Sequence, residues 1–236
     1  MQKPRVITID GPAGAGKSTV ARSLSDRLGW RLLDTGAMYR SIALAALRSK
    51  TNLNSDSALG DLVSRLELKM PPGRVLLNGE DVSSDIRGIE VTRLTRFVAD
   101  SPSVRSRLVE WQRQFARDER QIVTEGRDQG TIVFPDAFRK YFLTASDEER
   151  ARRRYAEFAA RGEMISPEEV LRELRIRDSQ DASRAIAPMR PADDASLIDC
   201  GGLDSDQVVA YIEKDIRQIL ESESAVSSHR VHSHKA

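Results

Sequence analysis

Histidine is almost missing from this chain, and cysteine nearly so. The 236 residues include three histidines, His229, His232 and His234, all within the closing stretch "AVSSHRVHSHKA", and one cysteine, Cys200. A Ser-His-Asp or Cys-His site needs a histidine inside the folded body, and a zinc site normally needs a cluster of Cys or His, so those chemistries are excluded. A lone cysteine rules out an internal disulfide. No apolar run approaches the roughly 18 residues that cross a bilayer, so no membrane span is expected. The opening "MQKPRVITID" has no secretory pattern, and together these absences point to the cytoplasm. Aromatics make up 5% of the chain and the formal net charge is +1, which argues against a stacking platform for single strands or a surface that wraps nucleic acid. The final stretch, 226–236, is polar and poor in core-forming residues, and is read as a disordered tail rather than a metal site.

Positive charge is present in a selective form: 30 arginines against 7 lysines. Arginine grips phosphate through two parallel hydrogen bonds, although a general preference for arginine would give the same count, so each one has to be argued from its position. Five short apolar runs, Val6 to Ile9, Arg31 to Leu33, Ile122 to Thr124, Lys140 to Leu143 and Leu197 to Asp199, mostly lead straight into helical patterns. Such alternation predicts an α/β fold with a parallel sheet covered on both faces, in one domain over 1–225. Helices are expected from Lys17 to Leu28, from Thr35 as N-cap, from Pro102 capped by Ser101, after the capping boxes "SDEE" at Ser146 and "SPEE" at Ser166, and along the stripe Val208, Ile212, Ile216, Leu220. Almost ninety residues separate the second and third runs. Within them Leu66, Leu68 and Met70 alternate and Asn78-Gly79 supplies a type I′ turn, so a small antiparallel meander is predicted as an insertion over 60–96. On the helix after Pro102, Trp111 and Phe115 are read as core.

The first apolar run ends in "DGPAGAGKST". Gly11, Gly16, Lys17 and Ser18 fit G-x-x-x-x-G-K-[ST] between a strand and a helix, the setting in which that pattern cradles phosphates. Backbone amides of Gly11, Pro12, Ala13, Gly14, Ala15, Gly16, Lys17, Ser18 and Thr19, proline lacking its N–H, form the expected ATP-binding loop. Lys17 reaches the β- and γ-phosphates and Ser18 offers its hydroxyl to Mg²⁺. A turn that used glycine only for geometry would leave Lys17-Ser18 unexplained. The loop identifies a nucleoside triphosphate user, not a reaction. Arg40, just inside the helix after the second strand, and Arg127, after the third, should emerge at the carboxyl edge of the sheet beside the loop. Arg177, Asp181 and Arg184 share one helix face by their spacing of four and three, unless that face is only a solvated salt-bridged surface. Arg150, Arg152, Arg153 and Arg154 are open to the same two readings, one of them a mobile lid closing over the triphosphate.

The segments "ITIDGPAGAGKST", "LLDTGAMYR", "EDVSSDIR", "EGRDQGTIVFPDA" and "RDSQDASRAIAPMRPADDA" occur in an order that closely resembles bacterial cytidylate kinases, over about residues 4 to 220. The resemblance implies a three-layer P-loop NTPase fold with a five-stranded parallel sheet, an enlarged monophosphate-binding insertion and a short lid over 150–165. It implies transfer of the γ-phosphoryl group of ATP, with Mg²⁺, to CMP or dCMP. By position, Arg40, Arg127 and Arg177 resemble the clamp on the acceptor phosphate, with Lys17 and the lid's Arg154 completing the catalytic cations. Asp181 and Arg184 resemble the groups holding the ribose and phosphate side. Thr35, Tyr39 and Gly126 would line the same pocket, and Arg105 with Asp128 would read cytosine. Asp34, and less so Asp10, could hold metal-bound water or simply anchor a strand end. Two positions depart from the family pattern: Arg96 stands where relatives often carry a serine that assists base recognition, with Thr95 as a substitute, and Gln129 replaces an apolar residue. A kinase for UMP or a small metabolite, and a non-enzymatic nucleotide-dependent regulator, are the competing readings. A monomer without polymer or membrane partners is expected.

Overall fold

The computed structural model describes residues 3–232 apart from Arg161 and Glu163. Its larger sheet has five parallel strands, β1 (Arg5–Asp10), β2 (Arg31–Asp34), β6 (Gln121–Gly126), β7 (Arg139–Thr144) and β8 (Ser196–Asp199), in the order β2-β6-β1-β7-β8. The expected five runs are these strands. Alternation within β1 divides the molecule. Ile7 and Ile9 join Val20 and Leu24 of α1 (Lys17–Leu28) and Val209 and Ile212 of α8 (Ser205–His232) on one face. Val6 joins Leu33, Met38 and Ile42 on the other, where α2 (Thr35–Arg48) and α5 (Pro102–Glu119) lie. Two dry layers therefore sandwich the sheet, which is why its central strands read as apolar on both sides.

The insertion holds α3 (Asp56–Ser64), the antiparallel ribbons β3 (Leu68–Lys69), β4 (Leu76–Leu77) and β5 (Glu80–Asp81), and α4 (Ile89–Asp100). Asn78 and Gly79 have φ of 51° and 85°, the pair of positive angles that the hairpin turn requires. Val75, Leu77, Val82 and Ile86 are buried in the same cluster as α2, so the insertion is welded onto the core. Neither α3 nor α4 was expected. α4 has Val91, Val98 and Ala99 buried and Leu94 packed beside them, with its charged residues turned outward.

Several local expectations change. Asp34, not Thr35, caps α2: its Oδ1 accepts from the Ala37 amide at 2.7 Å, while the buried Thr35 hydroxyl donates to the Glu125 carbonyl at 2.7 Å. Each capping box is formed on its serine side, by the Glu149 and Glu169 amides donating to Ser146 and Ser166. The Glu149 carboxylate is engaged by Arg152 and Arg153. Trp111 and Phe115 are half-buried and flank the core, with the Arg107 and Arg31 guanidinium groups 4.9 and 5.6 Å from their ring centres. The backbone of α8 continues as helix through His232, inside the stretch read as a disordered tail, because extending a helix costs far less than nucleating one. Residues 233–236 of that stretch lie outside the described residues.

Candidate active site

β1 has β6 on one side and β7 on the other, and the chain order reverses around it. In an open parallel sheet that is where strand ends leave a crevice for ligands. Gly11 leaves β1 with φ of 143°, and a Cβ there would lie 2.1 Å from the Leu143 carbonyl oxygen, so only glycine lets the loop pass β7. Gly14 and Gly16 take φ of 75° and 89°. Gly16 occupies the N-cap of α1 with no side-chain cap, leaving the first amides of that helix to an anion. Lys17 is buried and donates to the Pro12 carbonyl at 2.7 Å; Thr19 is exposed in the first turn. Burial, then the nearby Arg127 charge, pushes the Lys17 ammonium down to about 7. The Ser18 hydroxyl donates to Glu125 Oε1 at 3.0 Å. Burial and the neighbouring Asp34 raise the Glu125 carboxyl above the ordinary range.

On the facing side the arginines converge. Arg127 leaves β6 and donates through Nε to Asp181 at 2.9 Å; Arg184 Nη2 meets the other Asp181 oxygen at 2.7 Å, and its Nε reaches Asp100 at 2.8 Å. Burial works to raise the Asp181 carboxyl, but Arg127, Arg184 and Arg177 outweigh it and hold it low. Arg40 lies 3.5 Å from Asp34, and its Nε is shielded from water with no hydrogen-bond partner. Arg177 on α7 (Pro167–Ser183) is exposed to the cleft yet surrounded by protein on several sides. It makes no hydrogen bond or ion pair with the described residues. Desolvation, followed by repulsion from Arg127 and partly from Arg154 and Arg40, lowers its guanidinium to about 10. Arg154, on α6 (Asp147–Ala160), pairs with Glu157 at 2.6 Å and lies 4.7 Å from the Phe158 ring centre.

Beside this cluster Arg105 and Asp128 form a buried ion pair, each 5% exposed. Tyr39 lies under the Arg105 guanidinium, 5.9 Å from ring centre to carbon, and burial pushes its hydroxyl up to about 12. Gly126 is packed so tightly that a Cβ would sit 2.8 Å from Gln129 Cγ and 3.1 Å from Thr35 Oγ1. Gln129 now has an account: its buried amide accepts from Thr124 and donates to Gln112 Oε1 at 3.1 Å, fastening the turn after Asp128 to α5. Thr95 spends its hydroxyl on the Val91 carbonyl at 2.9 Å, while Arg96 is exposed and stacks over Phe97. A cleft of about 480 Å³ opens between Arg96, Phe97 and Asp100 on α4 and Gln180, Ser183 and Arg184 at the end of α7.

Asp10 is buried and anchors the end of its strand to the turn after β6. Both its oxygens accept backbone amides, Gln129 at 3.0 Å and Gly130 at 2.8 Å, and its carboxyl is raised by burial to about 7. Asp34 spends one oxygen on the helix cap. Ser18 and Glu125 are adjacent hard oxygen donors, and no group of three or more acidic, His or Cys ligands occurs among the described residues. That donor set fits Mg²⁺, which keeps most of its waters and phosphate oxygens and needs only one or two protein ligands. The sequence reading missed Glu125, although a carboxylate ending the strand beside the loop strand was visible in "TEGRD". It also missed Asp100 and Asp178, which only the tertiary fold brings to the arginines.

A glycine turn on β1 that faces a bank of arginines across a parallel-sheet edge places the molecule among P-loop phosphotransferases. Its described helices include none long and apolar enough to cross a membrane. The family model for cytidylate kinase matches residues 7–218. A cytidylate kinase of Pasteurella multocida is 43% identical over 94% of this chain and 99% of its own length. Those of Pelotomaculum thermopropionicum and Mycobacterium leprae are 49% and 46% identical, over 87% and 90% of this chain and 93% and 96% of theirs. A crystal structure of an uncharacterized protein from Eubacterium ventriosum, 13% identical, superposes with a TM-score of 0.51 over 90% of this chain and 98% of that one, which speaks for the fold alone. The chain belongs to the cytidylate kinase family.

Proposed function

We propose that the protein transfers the γ-phosphoryl group of ATP to the phosphate of CMP or dCMP, in line and without a covalent enzyme intermediate. The observation that carries this reading is the convergence of Arg40, Arg127, Arg154 and Arg177 opposite the glycine loop, with Arg177 making no hydrogen bond or ion pair among the described residues. Several guanidinium groups directed at one crevice suit a multiply charged anion, which each can meet with charge-assisted hydrogen bonds. An acceptor that is already a phosphate brings its own anionic nucleophile, so the site needs cations and no general base.

In this reading the loop amides and Lys17 hold the triphosphate, and Arg40, Arg127 and Arg177 hold the acceptor phosphate. Arg154 offsets charge that builds up between them. Ser18 and Glu125, with Asp34 through water, would hold Mg²⁺, which when bound neutralises part of the charge on the β- and γ-phosphates. Asp181 and Arg184 face the ribose. Arg105 and Asp128 meet cytosine, the carboxylate accepting from the exocyclic amine and the guanidinium donating to O2 and N3. Closure of the lid stretch that follows Arg150 over the bound nucleotides excludes water and limits ATP hydrolysis.

The test is ADP release from ATP and Mg²⁺ with CMP, dCMP, UMP, AMP or shikimate as acceptor, for the wild type and Arg127→Ala. The wild type is expected to favour CMP and dCMP. The variant is expected to lose about 10³-fold in kcat/KM for CMP, the scale of one well-placed arginine in phosphoryl transfer. ATP binding without acceptor-dependent ADP release would replace the enzyme with a nucleotide-dependent regulator.

A further inference from the structure

Arg150 opens the segment expected to form a mobile lid, yet it is among the most buried charged residues, 4% exposed. Its Nη1 donates both to Asp178 Oδ2 and, at 2.8 Å, to the carbonyl oxygen of Ala13 in the phosphate loop. Asp178 Oδ1 in turn accepts from the amide of the same Ala13 at 3.1 Å. One residue of the donor loop is thus gripped at its amide and at its carbonyl, on two successive peptide units, by a single largely buried ion pair. Further bonds fix the pair: Arg150 Nε donates to the Ala145 carbonyl at 3.1 Å, and Arg150 Nη2 and Arg175 both reach Asp147. The fit extends to Gly14, where a Cβ would come within 3.0 Å of the Arg150 carbonyl oxygen.

Asp178 adjoins Arg177 in sequence, and Asp181 follows within one turn. A single turn of α7 therefore carries a carboxylate bonded to the donor loop, a cation facing the acceptor cluster and the carboxylate that holds Arg127. We propose that Arg150 and Asp178 are positioning residues that set the distance and angle between the donor loop and the acceptor arginines, acting on alignment for transfer rather than on ATP affinity. The inference rests on the reading of Arg127 and Arg177 as acceptor-phosphate ligands. Arg150 and Asp178 touch the loop through Ala13, on the backbone, and stand behind the phosphates. A carboxylate in direct contact with the triphosphate would repel it, whereas one neutralised by Arg150 can brace the loop without that penalty.

The test measures steady-state kcat, KM for ATP and for the acceptor, and binding of a non-hydrolysable ATP analogue, in the wild type, D178A, D178N, R150A, R150K and the double variant R150A/D178A. Melting curves check the fold of each. For D178A we expect kcat to fall by roughly 10²-fold, the scale of a misplacement of about 1 Å, with the analogue bound within about threefold of wild type. D178N keeps a carbonyl that can accept from Ala13, and it should recover about tenfold of that loss. R150K should fall between R150A and wild type, since an ammonium that meets Ala13 and Asp178 cannot also reach the Ala145 carbonyl and Asp147, which the guanidinium holds through Nε and Nη2. The double variant should be no slower than the worse single one, as expected of groups acting as a unit. Four results would overturn the proposal: kcat within twofold of wild type in D178A; a loss confined to ATP affinity; no recovery in D178N; or losses that multiply in the double variant. If D178A does not fold, D178N and R150K carry the comparison through the same split between kcat and analogue binding. Rates are taken with whichever monophosphate the wild type uses, so a wrong acceptor assignment shows in the wild-type acceptor panel and leaves this comparison intact.

Discussion

Replacing Asp128 by asparagine is the sharpest probe of base selection, because it removes one charge and almost no volume. The Asp128 and Arg105 side chains are 7% and 6% exposed, so the pair is screened from water and the cytosine amine would meet a nearly full carboxylate charge. A hydrogen bond to a charged partner contributes about 1.5–3 kcal/mol, and D128N should therefore lower kcat/KM for CMP by roughly 10- to 150-fold. UMP presents a carbonyl where CMP has the amine. In the wild type that oxygen faces a carboxylate, whereas the asparagine amide can turn and donate to it, so the rate with UMP should rise. The ratio of the two kcat/KM values is the informative quantity. Arg105 left without its counter-ion will loosen the site for both nucleotides, and that effect cancels in the ratio. Arg105 also keeps other anchors, with Nη1 on the Ala99 carbonyl at 3.4 Å and the guanidinium over Tyr39. We expect the CMP:UMP ratio to fall by about 10²-fold or more, while D128A lowers it without any gain in UMP. The assay is initial-rate ADP release at varied CMP and UMP, with a melting curve to show that the variant is folded. A ratio within threefold of wild type in a folded D128N would refute base reading by Asp128 and move discrimination elsewhere, with Arg96 across the cleft the first residue to test.

The loop makes two more predictions. Lys17 titrates near 7 in the folded protein against 10.5 unperturbed, so between those values the unfolded chain binds more protons and Lys17's contribution to stability rises with pH. Saturating phosphate ligand should restore its charge, flatten that slope, and take up protons on binding near pH 8. Melting at pH 7, 8 and 9 with and without ATP analogue, and calorimetry in buffers of different ionisation enthalpy, would detect this; a slope unchanged by ligand would contradict it. Gly11→Ala places its Cβ 2.1 Å from the backbone oxygen of Leu143, at a φ of 143° that alanine avoids. We expect about 3 kcal/mol or more of destabilisation, or failure to accumulate as folded protein, whereas a melting point within a few degrees of wild type would mean β7 yields more readily than the packing implies.

What was legible in the sequence follows a physical division. Strands buried on both faces announce themselves as uninterrupted apolar runs, and a turn such as Asn78-Gly79 announces itself because few residues tolerate two positive φ angles; both are local constraints. The glycine loop was legible for the same reason. Caps were only half legible. "LLDTG" offers two consecutive N-cap residues, and the choice of Asp34 over Thr35 was settled by the bond that Thr35 makes to β6, a contact 90 residues away in the chain. α4 was missed although Val91, Leu94 and Val98 recur along it at helical spacing, because the expected meander was carried through to residue 96 and so claimed most of the helix. Arg150 was read with its neighbours as one cationic run, since four arginines within five positions look alike until the fold buries the first and leaves Arg152 in solvent.

Spacing reaches only some of the carboxylates that brace the arginines: Asp181 lies one turn from Arg184, whereas Asp100 and Asp178 meet their arginines only through the tertiary fold. Most of the cations at the cleft are braced by an acid from another element or another turn: Arg127 by Asp181, Arg184 by Asp100 and Asp181, Arg105 by Asp128, Arg150 by Asp178. Packing this many guanidinium groups at one sheet edge is unfavourable without anions, and Arg177, lowered first by desolvation and then by Arg127, is held less firmly in its charged form than an exposed arginine. If every arginine were neutralised by protein carboxylates, a phosphate would have to displace them; if none were, the empty protein would be destabilised by its own site. The braces hold the guanidinium planes in place while leaving Arg177 and the Nε of Arg40 without a hydrogen-bond partner among the described residues. Net charge near zero in the whole chain and a bank of cations at one crevice are therefore compatible, because the acids that brace Arg127, Arg184, Arg105 and Arg150 hold them in position without outnumbering them there.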